Sequence, residues 1–181
     1  MTKSLSDSQV LRYLEHARGY LLLDMPQAAL RELNEISESK LSRTDFFILK
    51  AEAYRSMQDY EESRQNYLMA LDYSPERQEI FLGLAWCEKR LGWLSLSIRR
   101  MLDAHRLEPQ EPLVMYNLSC YYALDGQSEN AIIWLRKALE EDCVLINLIA
   151  NESDFDQIRD DLDFQQLVEH FLKEASQTKK D

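Results

Sequence analysis

The pairs Ser74-Pro75 and Glu108-Pro109 lie 34 residues apart, and each closes a stretch of helical pattern, "YLMALDYSP" and "MLDAHRLEP". The same step taken in both directions divides most of the chain into four units, 10–43, 44–77, 78–111 and 112–145. Small residues keep that register. The eighth place holds Ala17, Ala51, Ala85 and Ser119, and the twentieth holds Ala29, Ser63, Ser97 and Ala131. Bulky residues keep it too, with Tyr13, Phe47, Phe81 and Met115 at the fourth place and Leu33, Tyr67, Met101 and Leu135 at the twenty-fourth. Ile36, Ala70, Ala104 and Ala138 fall near the unit ends. Small side chains are needed where two helix axes approach to about 8–10 Å, so each unit reads as a helix pair. One pair cannot bury its apolar face alone, whereas stacked pairs can.

Composition agrees. The 181 residues include only four Gly and four Pro, which favours long helices joined by short turns. The formal charge of −11 disfavours nucleic acid and anionic membrane surfaces as partners. The N-terminal stretch has no basic region feeding an apolar core, its longest apolar run being "YLLL". No stretch approaches the roughly 20 apolar residues of a membrane span, and a cytoplasmic location is expected. Cys87, Cys120 and Cys143 have no paired metal spacing and read as reduced, mostly buried thiols.

The third unit carries "FLGLAWCEKRLGWLSLSIRRMLDAHRLEP" and the fourth "MYNLSCYYALDGQSENAIIWLRKALEEDC". With its 34-residue period, this pattern resembles the tetratricopeptide repeat family, whose turn glycine would be Gly92 and Gly126. The resemblance implies an all-α, right-handed α-solenoid of four helix-turn-helix units with a C-terminal capping helix. Departures are informative. The family's tyrosine place holds Tyr20, Tyr54 and Tyr122 but Glu88 in the third unit, where a locally polar contact is expected. The first unit ends in "LSR" without proline, puts Pro26 near the start of its second helix and has His16 where leucine is usual, which suits a terminal repeat. His16 is expected to be a buried, hydrogen-bonded histidine.

Residues 1–9 read as a lead-in and 146–181 as a capping segment and polar tail. Phe164, Leu167, Val168, Phe171 and Leu172 form one stripe, predicting an amphipathic helix over 163–176, with fraying from Lys173 onwards. The stretch "DFDQIRDDLDFQQL" is similar to the acidic closing segment of bacterial members of the family.

No catalytic constellation is visible. His16, His105 and His170 are scattered over different units, no Gly-rich phosphate loop occurs, and neither enzymatic activity nor a cofactor is expected. "ESDFDQIRDDLDF" lacks the glycine and closing glutamate of a calcium loop, so it reads as a solvated turn with helix N-caps, and no metal site is expected. His105 reads as surface or capping, and Trp93 and Trp134 as structural.

The resemblance implies protein binding by the first helices of successive units. It projects Leu14 and Arg18 from the first unit, Ile48, Glu52 and Arg55 from the second, Leu82, Trp86, Lys89 and Arg90 from the third, and Tyr116 and Cys120 from the fourth. The row Leu14, Ile48, Leu82 and Tyr116 is expected to be an exposed apolar stripe that takes a protein or peptide segment with apolar anchors. The alternatives are that these side chains pack between units, or that the chain's own N-terminal segment covers them. Trp86 beside Lys89 and Arg90 is the favoured anchor. The basic clamp that grips heat-shock chaperone tails is missing, with Leu14, Arg18, Leu49, Glu79 and Gly83 at its places. An adaptor or scaffold is the first reading, and a chaperone of the type III secretion translocator kind is the alternative; a homodimer stays open.

Overall fold

The computed structural model describes residues 5–36 and 43–177. The first four residues of the lead-in, the close of the first unit at 37–42 and the tail at 178–181 lie outside the described residues. Helices are the regular elements found: α1 (Asp7–Leu22), α2 (Pro26–Asn34), α3 (Arg43–Ser56), α4 (Tyr60–Tyr73), α5 (Gln78–Arg90), α6 (Leu94–Leu107), α7 (Pro112–Leu124), α8 (Ser128–Glu141), the short α9 (Ile146–Ile149) and α10 (Leu162–Gln177). Two 3-10 turns, Cys143–Leu145 and Ser153–Ile158, flank α9. The chain forms two compact units, one ending at Gly92 and the other beginning at Trp93, inside the third 34-residue period.

Local chemistry accounts for the helix ends. Ser6 opens α1 through a capping box, its hydroxyl accepting from Gln9 N while its own N–H donates to the Gln9 side chain. Asp59 accepts from Glu62 N ahead of α4, and Pro26 and Pro112 stand in the first turns of α2 and α7, where an N–H has no intrahelical partner. The fifteenth place of the period has a left-handed backbone every time: Asp24 (φ 54°), Gln58 (φ 62°), Gly92 (φ 79°) and Gly126 (φ 72°). The following N–H reaches back to the tyrosine-place carbonyl, Met25 to Tyr20, Asp59 to Tyr54 and Gln127 to Tyr122, each at 2.9 Å, which closes the helix as a Schellman turn.

Only glycine adopts that conformation without a Cβ penalty of roughly 1–2 kcal/mol. Nothing lies within 4 Å of a Cβ added at Gly92 or Gly126, so the backbone alone decides. Gly92→Ala and Gly126→Ala should each lower stability by about 1 kcal/mol, whereas Gln58→Gly should raise it by a few tenths to about 1 kcal/mol. Urea midpoints of the three variants check the opposite signs.

The small places are fully buried, from Ala17 and Ala29 in the first unit to Ser119 and Ala131 in the second. Where serine replaces alanine, its hydroxyl crosses to the facing helix. Ser63 donates to the Ala51 carbonyl at 2.8 Å, and Ser119 donates to the Ala131 carbonyl at 2.7 Å, so a polar atom is buried without loss. Glu88, at the tyrosine place, makes the expected polar contact: it is fully buried on α5 and accepts from Arg64 Nε of α4 at 2.9 Å.

In the first unit one core joins Val10, Leu14, Ala17, Ala29, Leu33 and Leu49, and another joins Ile48, Tyr67, Ile80, Leu84 and Cys87. Tyr67 is longer than its counterparts at the twenty-fourth place, and α5 accommodates it at Gly83, where a Cβ would overlap the tyrosine ring. In the second unit α10 closes the end with Phe164, Leu167 and Phe171 buried, while Leu172 of the predicted stripe is exposed because it falls on the far side. The helix runs to Gln177, one residue beyond the expected 163–176. The segment before it is core as well as turn: Leu145, Ile146, Ile149, Phe155 and Ile158 are all buried.

Candidate functional site

The first unit brings several of the projected residues together around Trp86. This side chain is half-buried on α5, packed against the core of Ile48, Tyr67 and Leu84. Two guanidinium groups lie over its ring, Arg55 of α3 at 5.3 Å and Arg90 of α5 at 5.0 Å, and Tyr60 meets it edge-on at 5.3 Å. The Tyr67 hydroxyl nearby has its pKa pushed above the ordinary tyrosine range, chiefly by burial, and the charge of Arg55 opposes that rise. Glu52, one turn before Arg55, has its carboxyl raised by burial; the charges of Arg55 and Arg18 oppose that rise and Glu79 adds to it. Arg77 pairs with Asp45 at 2.7 Å and also with Glu79, so two acids beside the cluster are already compensated. What remains accessible is aromatic and apolar with more cations than acids: Arg18 and Arg90 are exposed, and Glu52, Arg55, Leu82, Trp86 and Lys89 are half-buried.

The exposed apolar row is corrected. Leu14 is 6%, Ile48 7% and Tyr116 3% exposed, and Leu82 is half-buried. Leu14 and Ile48 belong to the cores of the first unit because α1 and α3 pack against their neighbours with these faces. Tyr116 is covered from the C-terminal side by Phe155, ring to ring at 5.7 Å, and Cys120 is buried beside it on α7. Of the alternatives, packing within the fold accounts for these burials.

The histidines also differ from expectation in part. His16 is hydrogen-bonded, Nδ1 to Glu32 at 3.1 Å, but its side chain is 52% exposed, because it lies on the outer side of α1. His105 is half-buried edge-on against Trp134 at 4.9 Å, and burial lowers its pKa, with Lys137 adding to the effect. Sequence reasoning missed Tyr60 and Tyr67 as supports of Trp86; two tyrosines on a second helix, facing a tryptophan on the next first helix, were the available signal.

The sequence profile of the tetratricopeptide repeat matches residues 44–77 and 113–142, and the chain carries tetratricopeptide repeats. No curated protein matches the sequence. Among solved structures, MamA 41-end from Desulfovibrio magneticus RS-1 is 19% identical with a TM-score of 0.78, over 97% of this chain and 98% of that one. The MamA RS-1 ArsTM double mutant is 20% identical with a TM-score of 0.77, over 95% and 97%. A further MamA crystal structure gives 14% identity and a TM-score of 0.69, over 78% and 81%. These likenesses establish the all-α repeat fold. Among the described residues, no helix is long and apolar enough to cross a membrane.

Proposed function

We propose that this chain is a non-catalytic protein-binding module, an adaptor or scaffold, whose binding face centres on Trp86 in the first unit. The units 10–43, 44–77, 78–111 and 112–145 are its repeats. The observation that carries the reading is the half-buried Trp86 ring with Arg55 and Arg90 over it. An aromatic residue held on a rigid helix loses little freedom on binding, and flanking guanidinium groups add charge-assisted hydrogen bonds. The occupant that fits is an extended or helical protein segment with an apolar or aromatic anchor next to carboxylates, because the accessible groups of the patch are mainly cationic on a chain of net charge −11. Leu82, Glu52, Lys89 and Arg18 complete the face; Leu14, Ile48, Tyr116 and Cys120 act through packing.

A peptide-display selection against the full chain tests this reading. The recovered peptides should be rich in acids and aromatics and should weaken as salt is raised. Trp86→Ala and the surface change Arg90→Glu should each raise Kd more than about tenfold, which is a loss of about 1.4 kcal/mol. Peptides that bind Arg90→Glu and Trp86→Ala as well as the parent would overturn the assignment.

A further inference from the structure

A second cluster lies in the other unit, away from Trp86 in sequence and independent of the proposed binding face. Tyr116 and Cys120 stand four residues apart on α7, on the same side of the helix. The 3-10 turn Ser153–Ile158 packs against that helix and brings in Glu152 and Asp154. One ligand atom from each of Cys120, Glu152 and Asp154 lies within 4.8 Å of the other two. Cys120 is 2% and Asp154 7% exposed, so this is not a solvated acidic surface.

The Tyr116 hydroxyl supplies an independent observation. Its residue is 3% exposed, the oxygen has no hydrogen-bond partner among the described residues, and its electrostatic neighbours are Cys120, Glu152, Asp154 and Arg159. A buried hydroxyl without a partner costs about 1–3 kcal/mol, and an added ligand would relieve that cost. Arg159 is the cation nearby, but its donors are directed elsewhere: Nε to Asp156 at 2.7 Å, Nη1 to the Ile149 carbonyl at 3.3 Å and Nη2 to the Glu152 carbonyl at 2.7 Å. It therefore fixes the turn that presents the two carboxylates.

We propose that Cys120, Glu152 and Asp154 form a site for a zinc-class divalent cation, with the Tyr116 hydroxyl directed at the metal or at a water bound to it. One thiolate and two carboxylates suit a borderline cation in tetrahedral coordination better than calcium or magnesium, which take oxygen donors only. On binding, the Cys120 thiol releases its proton to solvent, the sulfur and one oxygen of each carboxylate bond to the metal, and the ion sheds the waters they replace. Affinity should therefore fall as pH is lowered. The ion would join α7 to the turn before α10 and stabilise the C-terminal unit.

The test uses the full chain, stripped with a chelator and titrated with zinc against a chromophoric chelator, with cobalt(II) as the optical probe. The expected result is one equivalent bound, a thiolate-to-cobalt charge-transfer band, and a higher melting temperature with zinc. Cys120→Ser and Asp154→Asn should each weaken binding more than about tenfold, while Cys143→Ser, at an exposed thiol outside the cluster, should leave it unchanged. Circular dichroism verifies that the variants fold. Should Cys120→Ser fail to fold, the cobalt band in the Cys143→Ser protein and its loss in Asp154→Asn still decide the matter. No stoichiometric binding by the parent, binding without the thiolate band, or equal binding by Asp154→Asn would overturn the site.

Discussion

Phe155→Ala is expected to lower the unfolding free energy by about 3–5 kcal/mol, as large a loss as any single truncation in this fold should give. Phe155 is fully buried, with the Tyr116 ring at 5.7 Å on one side and the Phe164 ring at 5.4 Å on another. It ties α7 to α10 through the 3-10 turn Ser153–Ile158. Its removal leaves a cavity that three separate elements must close, and Tyr116 loses its cover. Phe155→Leu should cost less, about 1–2 kcal/mol, since most of the volume is kept. Urea unfolding of both variants measures the difference. A loss below about 1 kcal/mol for Phe155→Ala would mean that the closing segment is not integral to the C-terminal unit.

Glu88→Ala should be nearly as damaging, costing about 3–5 kcal/mol, because it leaves the Arg64 guanidinium, itself only 17% exposed, facing a site from which its carboxylate has gone. Arg64→Ala should also destabilise, because it removes one charge partner of a fully buried carboxylate. The pair replaced together, as Arg64→Met with Glu88→Leu, should recover most of the loss, since an apolar pair avoids the desolvation of two charges. A double-mutant cycle on urea midpoints gives the coupling. If the double variant is as unstable as either single one, the cost lies in packing and not in the uncompensated charge.

The sequence makes the helix pairs legible because their constraint is local and repeated. The alanines and serines at the eighth and twentieth places lie where helices touch, and the structure buries them completely. The left-handed turn place was half legible: Gly92 and Gly126 mark it, but Asp24 and Gln58 adopt the same backbone without announcing it. The match between Tyr67 and Gly83 was not legible, because it depends on one large side chain meeting one missing side chain in the next helix.

The candidate site was legible only in part. Trp86 and Arg90 fall four residues apart on one helix, which spacing alone brings together, whereas Arg55 arrives from α3 through tertiary packing. The apolar row failed for a physical reason. A residue placed on the facing side of a first helix is exposed only if nothing packs there, and Tyr116 is covered by Phe155 from a segment whose periodic pattern had already faded. The buried residues of that segment come from 3-10 turns and a four-residue helix, too short to show a period.

The claim that a partner segment docks beside Trp86 is tested most directly by site-specific photo-crosslinking of a selected peptide to the full chain. A photoreactive side chain is placed at exposed Ser56, the last residue of α3 and next to Arg55, and, separately, at exposed Glu140 of α8. The account predicts efficient crosslinking from position 56, lost when unlabelled peptide is in excess, and little from position 140. Crosslinking from position 140 without any from position 56 would contradict it.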